Sequence, residues 1–131
     1  MWHSYNENPD GKRVGDCTVR AISTVLGQDW ERTFMELCLQ GFLMGDMPSS
    51  NAVWGEYLKN RGFCRHLIPE SDDEYYTVDD FCRDYSKGTY LLALSGHVVA
   101  VIDGEYFDTW DSGREIPIYC WEKCSCKRKE E

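Results

Sequence analysis

Asp103-Gly104 is the dipeptide that most restricts how this chain can fold. It separates His97-Val98-Val99-Ala100-Val101-Ile102 from Glu105-Tyr106-Phe107-Asp108-Thr109-Trp110, and a two-residue Asp-Gly loop between β-rich runs marks a type I′ hairpin. The turn fixes the register: Ile102 opposite Glu105, Val101 opposite Tyr106, Val99 opposite Asp108 and His97 opposite Trp110. Alternation then places His97, Val99, Val101, Tyr106, Asp108 and Trp110 on one face. Asp108 becomes the diagonal neighbour of His97, within reach of a side-chain pair, whereas Asp111 points to the other face.

The first half of the chain is helical in pattern. Cys17 to Leu26 carries an apolar stripe of Ala21, Ile22, Val25 and Leu26 and stops at Gly27. A second helix presents Trp30, Phe34, Leu37 and Cys38, with Asp29 at its start and Gly41 at its end. A third follows Ser49-Ser50 with Val53, Trp54, Tyr57 and Leu58 on one side and ends at Gly62. Trp30, Phe34, Trp54 and Phe81 read as core.

The second half reads as strands around one more helix. Phe63 to Ile68 is a short strand, and Thr77-Val78-Asp79-Asp80 is a capped helix start leading to a close at Gly88. Thr89 to Leu94 precedes the hairpin, and Ile116 to Trp121 completes the set. Helices first and a small, mostly antiparallel sheet later is an α+β order. At 131 residues, 42% of them hydrophobic, the chain fits one domain with its own core. Residues 1–15 form a polar lead-in.

Charge narrows the partners. A formal net charge of −9, with Lys127-Arg128-Lys129 answered at once by Glu130 and Glu131, argues against a nucleic-acid ligand. No stretch is apolar enough to span a bilayer, and the N-terminus lacks the apolar segment of an export signal. Seven cysteines cannot all pair internally, and Cys17, Cys38, Cys64 and Cys82 fall inside helix or strand patterns. These features predict a cytoplasmic protein with reduced thiols.

The chemistry gathers on three residues. Gly15-Asp16-Cys17 is a tight turn running into a helix, so Cys17 is a thiol at a helix N-terminus, where the thiolate is stabilised. His97 and Asp108 lie on the hairpin, and a cysteine, an imidazole and an orienting carboxylate are the parts of a thiol nucleophile. Taken singly, each residue fits a structural role as well: a small buried cysteine, a strand-end histidine, a surface acid. Trp110 is placed either to shield His97 and Asp108 from water or to pack in the core.

This order of Cys, His and Asp, with the cysteine opening a helix and the other two on neighbouring strands, resembles papain-like cysteine peptidases. The segment Gly15-Asp16-Cys17-Thr18-Val19-Arg20-Ala21-Ile22 is similar to the cysteine segment of ovarian-tumour deubiquitinases, and the whole chain looks like compact papain-fold proteins of phages and bacteria. The resemblance implies a papain-like fold and a hydrolase acting on a protein or peptide substrate without a cofactor, with Cys17 as nucleophile, His97 as base and Asp108 as orienting acid. The glutamine that such enzymes place about six residues before the cysteine is replaced by Gly11. Asn8, ahead of Asn6, is the substitute oxyanion donor.

Two other functions fit the same residues. One is a papain-fold module with a decayed site that binds a partner, such as a phage protein engaging a host factor. The other is a zinc-bearing interaction domain, in which Cys120, Cys124 and Cys126 supply three ligands and His66 or Cys64 a fourth. The cysteine spacing lacks paired knuckles, so residues 122–131 read as a frayed tail and no metal is expected. Pocket shape is left to the loops Leu43 to Ser50 and Ile68 to Tyr76.

Overall fold

The computed structural model describes residues 1–12, 15–68 and 75–124. The element order is β1 (Trp2–Ser4), α1 (Cys17–Leu26), α2 (Trp30–Met44), α3 (Asn51–Asn60), β2 (Phe63–Leu67), α4 (Val78–Asp84), β3 (Thr89–Leu94), β4 (His97–Ile102), β5 (Glu105–Asp108) and β6 (Tyr119–Lys123). Four helices, mostly N-terminal, pack on one six-stranded mixed sheet of order β1-β5-β4-β3-β6-β2. Every pairing is antiparallel except β1 with β5.

The hairpin adopts the expected register, with Ile102 opposite Glu105 and Val101 opposite Tyr106. Asp103 and Gly104 have φ of 50° and 79°, the left-handed pair that a type I′ turn requires. Alternation along β4 then divides the core. Val98 and Ala100 face α1, α2 and α3 together with Leu91, Ala93 and Trp121. Val99 and Val101 face α4 together with Leu92, Tyr106 and Phe81. The sheet is therefore buried on both sides, which holds β4 and the start of the loop after β5 in fixed positions.

Several boundaries differ from the sequence expectations. α2 runs through Gly41 to Met44 and is closed by Gly45, because Gly41 serves a packing role: a Cβ there would lie 2.6 Å from the backbone oxygen of Asp46. The lead-in contains β1, hydrogen-bonded alongside β5. Residues 122 and 123 belong to β6 rather than to a frayed tail, and residues 125–131 lie outside the described residues. Phe34 is not core. It is 42% exposed and stacks on Trp30 with ring centroids 5.2 Å apart.

The cysteines also depart from the fully reduced pattern. Antiparallel pairing puts Cys64 opposite Glu122, so Cys124 is its diagonal neighbour. The two form a disulfide with Cα atoms 5.9 Å apart, within the span such a bond needs. No helix among the described residues is long and apolar enough to cross a membrane.

Candidate active site

Asp16 is the N-cap of α1 and Cys17 its first helical residue, so the thiol sits beside backbone N–H groups that have no intrahelical acceptor. Those dipoles favour a negative sulfur. Burial pushes the Cys17 pKa up, but hydrogen bonds from His97, from the Val98 backbone and from Thr18, with the imidazolium charge, outweigh it and leave the thiol below its ordinary value. Cys82 and Cys120 lie in apolar surroundings instead, and burial raises both to about 11. Cys17 is also partly open to solvent.

His97 is the first residue of β4, so its ring stands at the end of the sheet where α1 begins. Its Nε2 is 2.6 Å from Oδ2 of Asp108, which leaves the other ring nitrogen for Cys17. Burial lowers the imidazole pKa, yet the hydrogen bonds to Asp108 and to Cys17 carry it up to about 9. A lowered thiol beside a raised imidazole shifts the pair toward its thiolate–imidazolium form. Trp110 lies against the His97 ring, centroid to centroid 5.1 Å, covering it from one side while remaining 41% exposed itself.

Asp108 is held from four directions. Ser112 Oγ donates to Oδ2 at 2.9 Å and the Thr109 backbone N–H donates to Oδ1 at 2.8 Å, with His97 and Arg20 completing the set. Arg20, only 9% exposed, places Nη2 3.5 Å from Asp108 and donates through Nη1 to Asp16. Trp30 Nε1 donates to the other Asp16 oxygen at 2.9 Å. The residue before Cys17 is thus tied through Arg20 to the carboxylate that meets His97. Asp16 and Arg20 stand four apart on α1, a spacing visible in the sequence, but their link to Asp108 required the fold.

Glu7 was also missed. Its Oε2 is buried with no hydrogen-bond partner among the described residues, and burial, opposed by its own backbone N–H and by Arg20 but aided by Asp16 and Asp108, raises it to about 7.

Compared with family models, curated proteins and solved structures, the chain matches none of them. The site must be read from its own geometry.

The other sequence candidates fall elsewhere. Asn8 is buried, its Oδ1 accepting from the backbone N–H groups of Asp10 at 2.9 Å and Lys12 at 3.3 Å. It shapes a turn and does not line the groove beside Cys17. Asn6 donates to the Lys12 carbonyl. Asp111 accepts from the Tyr106 hydroxyl, away from His97. Of the proposed zinc ligands, Cys120 is buried in the core, Cys64 and Cys124 are bonded to each other, and His66 pairs with Glu122 at 3.2 Å. Cys126 lies outside the described residues.

Two hollows meet at the sulfur. A groove of about 460 Å³ runs from Cys17 and His97 past Ser49, Asn51, Trp54 and Tyr119. A second, of about 310 Å³, lies between Cys17, His97, Thr109 and Trp110. Both Cys17 and His97 line each hollow, so an extended ligand can cross the pair with atoms on either side.

Proposed function

We propose that this chain is a papain-like cysteine hydrolase that cleaves a peptide, isopeptide or related amide bond. The observation that carries the reading is the Cys17–His97–Asp108 chain of hydrogen bonds at the meeting point of two open hollows. A bound carbonyl carbon is attacked by the Cys17 thiolate, and the C=O pair moves onto oxygen. The Cys17 backbone N–H at the start of α1 stabilises that oxyanion. The imidazolium of His97 passes its proton to the leaving nitrogen as the C–N bond breaks, giving a thioester and a free amine. Water then loses a proton to His97 and attacks the thioester, releasing the acid and returning the thiolate. Asp108 keeps the ring oriented throughout.

The activity requires a reduced Cys17, and a protein or peptide is the substrate that an extended groove admits. The position of Asn8 favours one other reading, a papain-fold binding module whose second oxyanion donor is missing and whose function is to hold a partner. Mass-spectrometric mapping of iodoacetamide labelling separates the two when combined with turnover. Cys17 should label far ahead of Cys82 and Cys120 and lose that lead in His97→Ala. Cleavage of a peptide library by the wild type, absent in Cys17→Ala, selects the hydrolase, whereas a lead in labelling with no cleavage selects the binding module. Equal labelling of the three cysteines would remove both forms of the reading.

A further inference from the structure

The outward side of α2 is apolar and open to solvent. The helix buries Thr33, Leu37 and Gly41 against the rest of the molecule, and helical spacing puts Met35, Leu39, Phe42 and Leu43 on the opposite side. Glu36, the one charged residue between Arg32 and Gly45, turns to Tyr57 and Arg61 at the end of α3. Met35, Leu39, Phe42, Leu43 and Met47 are each between 58% and 81% exposed. With Phe34 they present on the order of 800 Å² of apolar residue surface, roughly a tenth of the 7356 Å² accessible to solvent. The largest apolar patch on an ordinary monomer is about 300–600 Å², whereas a standard protein–protein interface takes about 800 Å² from each partner.

The charges at the two ends of the stripe select its occupant. Arg32 and Asp46, both exposed, stand at opposite ends. Arg32 uses Nε to donate to Glu36 at 2.8 Å, which leaves its terminal nitrogens for a further acceptor. Oδ1 of Asp46 accepts from the Met47 backbone N–H at 2.7 Å, which leaves Oδ2. We propose that a second copy of this chain covers the stripe, with the two α2 helices antiparallel about a two-fold axis beside Leu39. That axis sets Met35 of each copy against Phe42 and Leu43 of the other and brings each Arg32 to the other copy's Asp46, so the contact is self-complementary and closes as a dimer. Parallel helices would instead set Arg32 beside Arg32 and Asp46 beside Asp46. A lipid surface fits less well, because anionic headgroups repel a chain of net charge −9. The inference is independent of the chemistry at Cys17.

Sedimentation equilibrium of the full chain tests the inference. At roughly 100 μM, a concentration at which interfaces of this size are occupied, the wild type should show twice the 15.2 kDa of one chain. Leu39→Glu and Phe42→Glu alter exposed positions, so each should sediment as a single chain with an unchanged circular dichroism spectrum. Arg32→Glu should raise the dissociation constant several-fold by facing the other copy's Asp46 with a like charge, and adding Asp46→Arg to the same chain should restore it. A wild type that sediments as one chain would overturn the inference, and its co-sedimentation with neutral phosphatidylcholine vesicles would then assign the stripe to lipid. A polydisperse aggregate, or a dimer that survives both Leu39→Glu and Phe42→Glu, would overturn it equally. A dimer broken by those variants but not restored by the charge exchange would overturn the antiparallel arrangement.

Discussion

Glu7 offers a quantitative test of the charge arrangement around Arg20, Asp16 and Asp108. Its carboxyl is raised from 4.5 to about 7, first by burial, and one oxygen has no partner among the described residues. Below pH 4.5 both folded and unfolded chains hold the proton at this position. Between 4.5 and 7 the unfolded chain releases it first, so the folded state binds more protons and stability falls as pH rises, levelling off above pH 8. The gap of about 2.5 pKa units, at about 1.36 kcal/mol each, sets a ceiling near 3 kcal/mol; partial solvent access to the side chain brings the expected loss to on the order of 2 kcal/mol. Glu7→Gln keeps the shape and removes the titration. Urea denaturation at pH 5 and at pH 8 should therefore show a smaller pH-dependent loss in the variant, by on the order of 2 kcal/mol, with contributions from His97 and other groups cancelling in the double difference. Parallel pH dependences in the two proteins would mean that Glu7 is ionised in the folded state, and the account of the buried carboxylates around Arg20 would be wrong.

Two further outcomes follow from the same geometry. Asp108→Asn removes the carboxylate that raises His97, so the imidazole pKa, read by NMR titration, should fall from about 9 by more than one unit, and library cleavage should drop by orders of magnitude while Cys17 remains alkylatable; an unchanged imidazole would refute the role of Asp108. Gly41→Ala reverses the usual helix preference for alanine, since the collision with Asp46 O and Pro48 N should cost about 1–3 kcal/mol, more than the ~1 kcal/mol gained in propensity, and a rise in thermal midpoint would count against the close approach of that loop.

How much of this could be read from the residues depends on the distance over which each feature is decided. The span of α1 and its stop at Gly27 are local, and so is the Asp103-Gly104 turn, which is why the register and the His97–Asp108 pairing were legible before any fold was known. β1 was not: it has three residues, too few for a period, and owes its existence to Tyr106, Phe107 and Asp108, which lie about a hundred positions away. The Cys64–Cys124 bond was hidden for the same reason, because it depends on the register of β2 against β6.

Phe34 marks the sharper limit. Helical periodicity identifies it as apolar and places it one turn beyond Trp30, which is all that spacing can do. Whether an apolar residue is core or binding surface depends on what lies opposite, and opposite Phe34 the chain places Pro48 and a space rather than a helix. The same holds for Arg20. Its spacing from Asp16 suggests a solvent-facing helix pair of small worth, but the fold buries both and adds Asp108 on the far side. A surface ion pair thereby becomes the link that carries the position of the cysteine helix to the histidine's acid, and it does so only because β4 begins and β5 ends beside the first turn of α1.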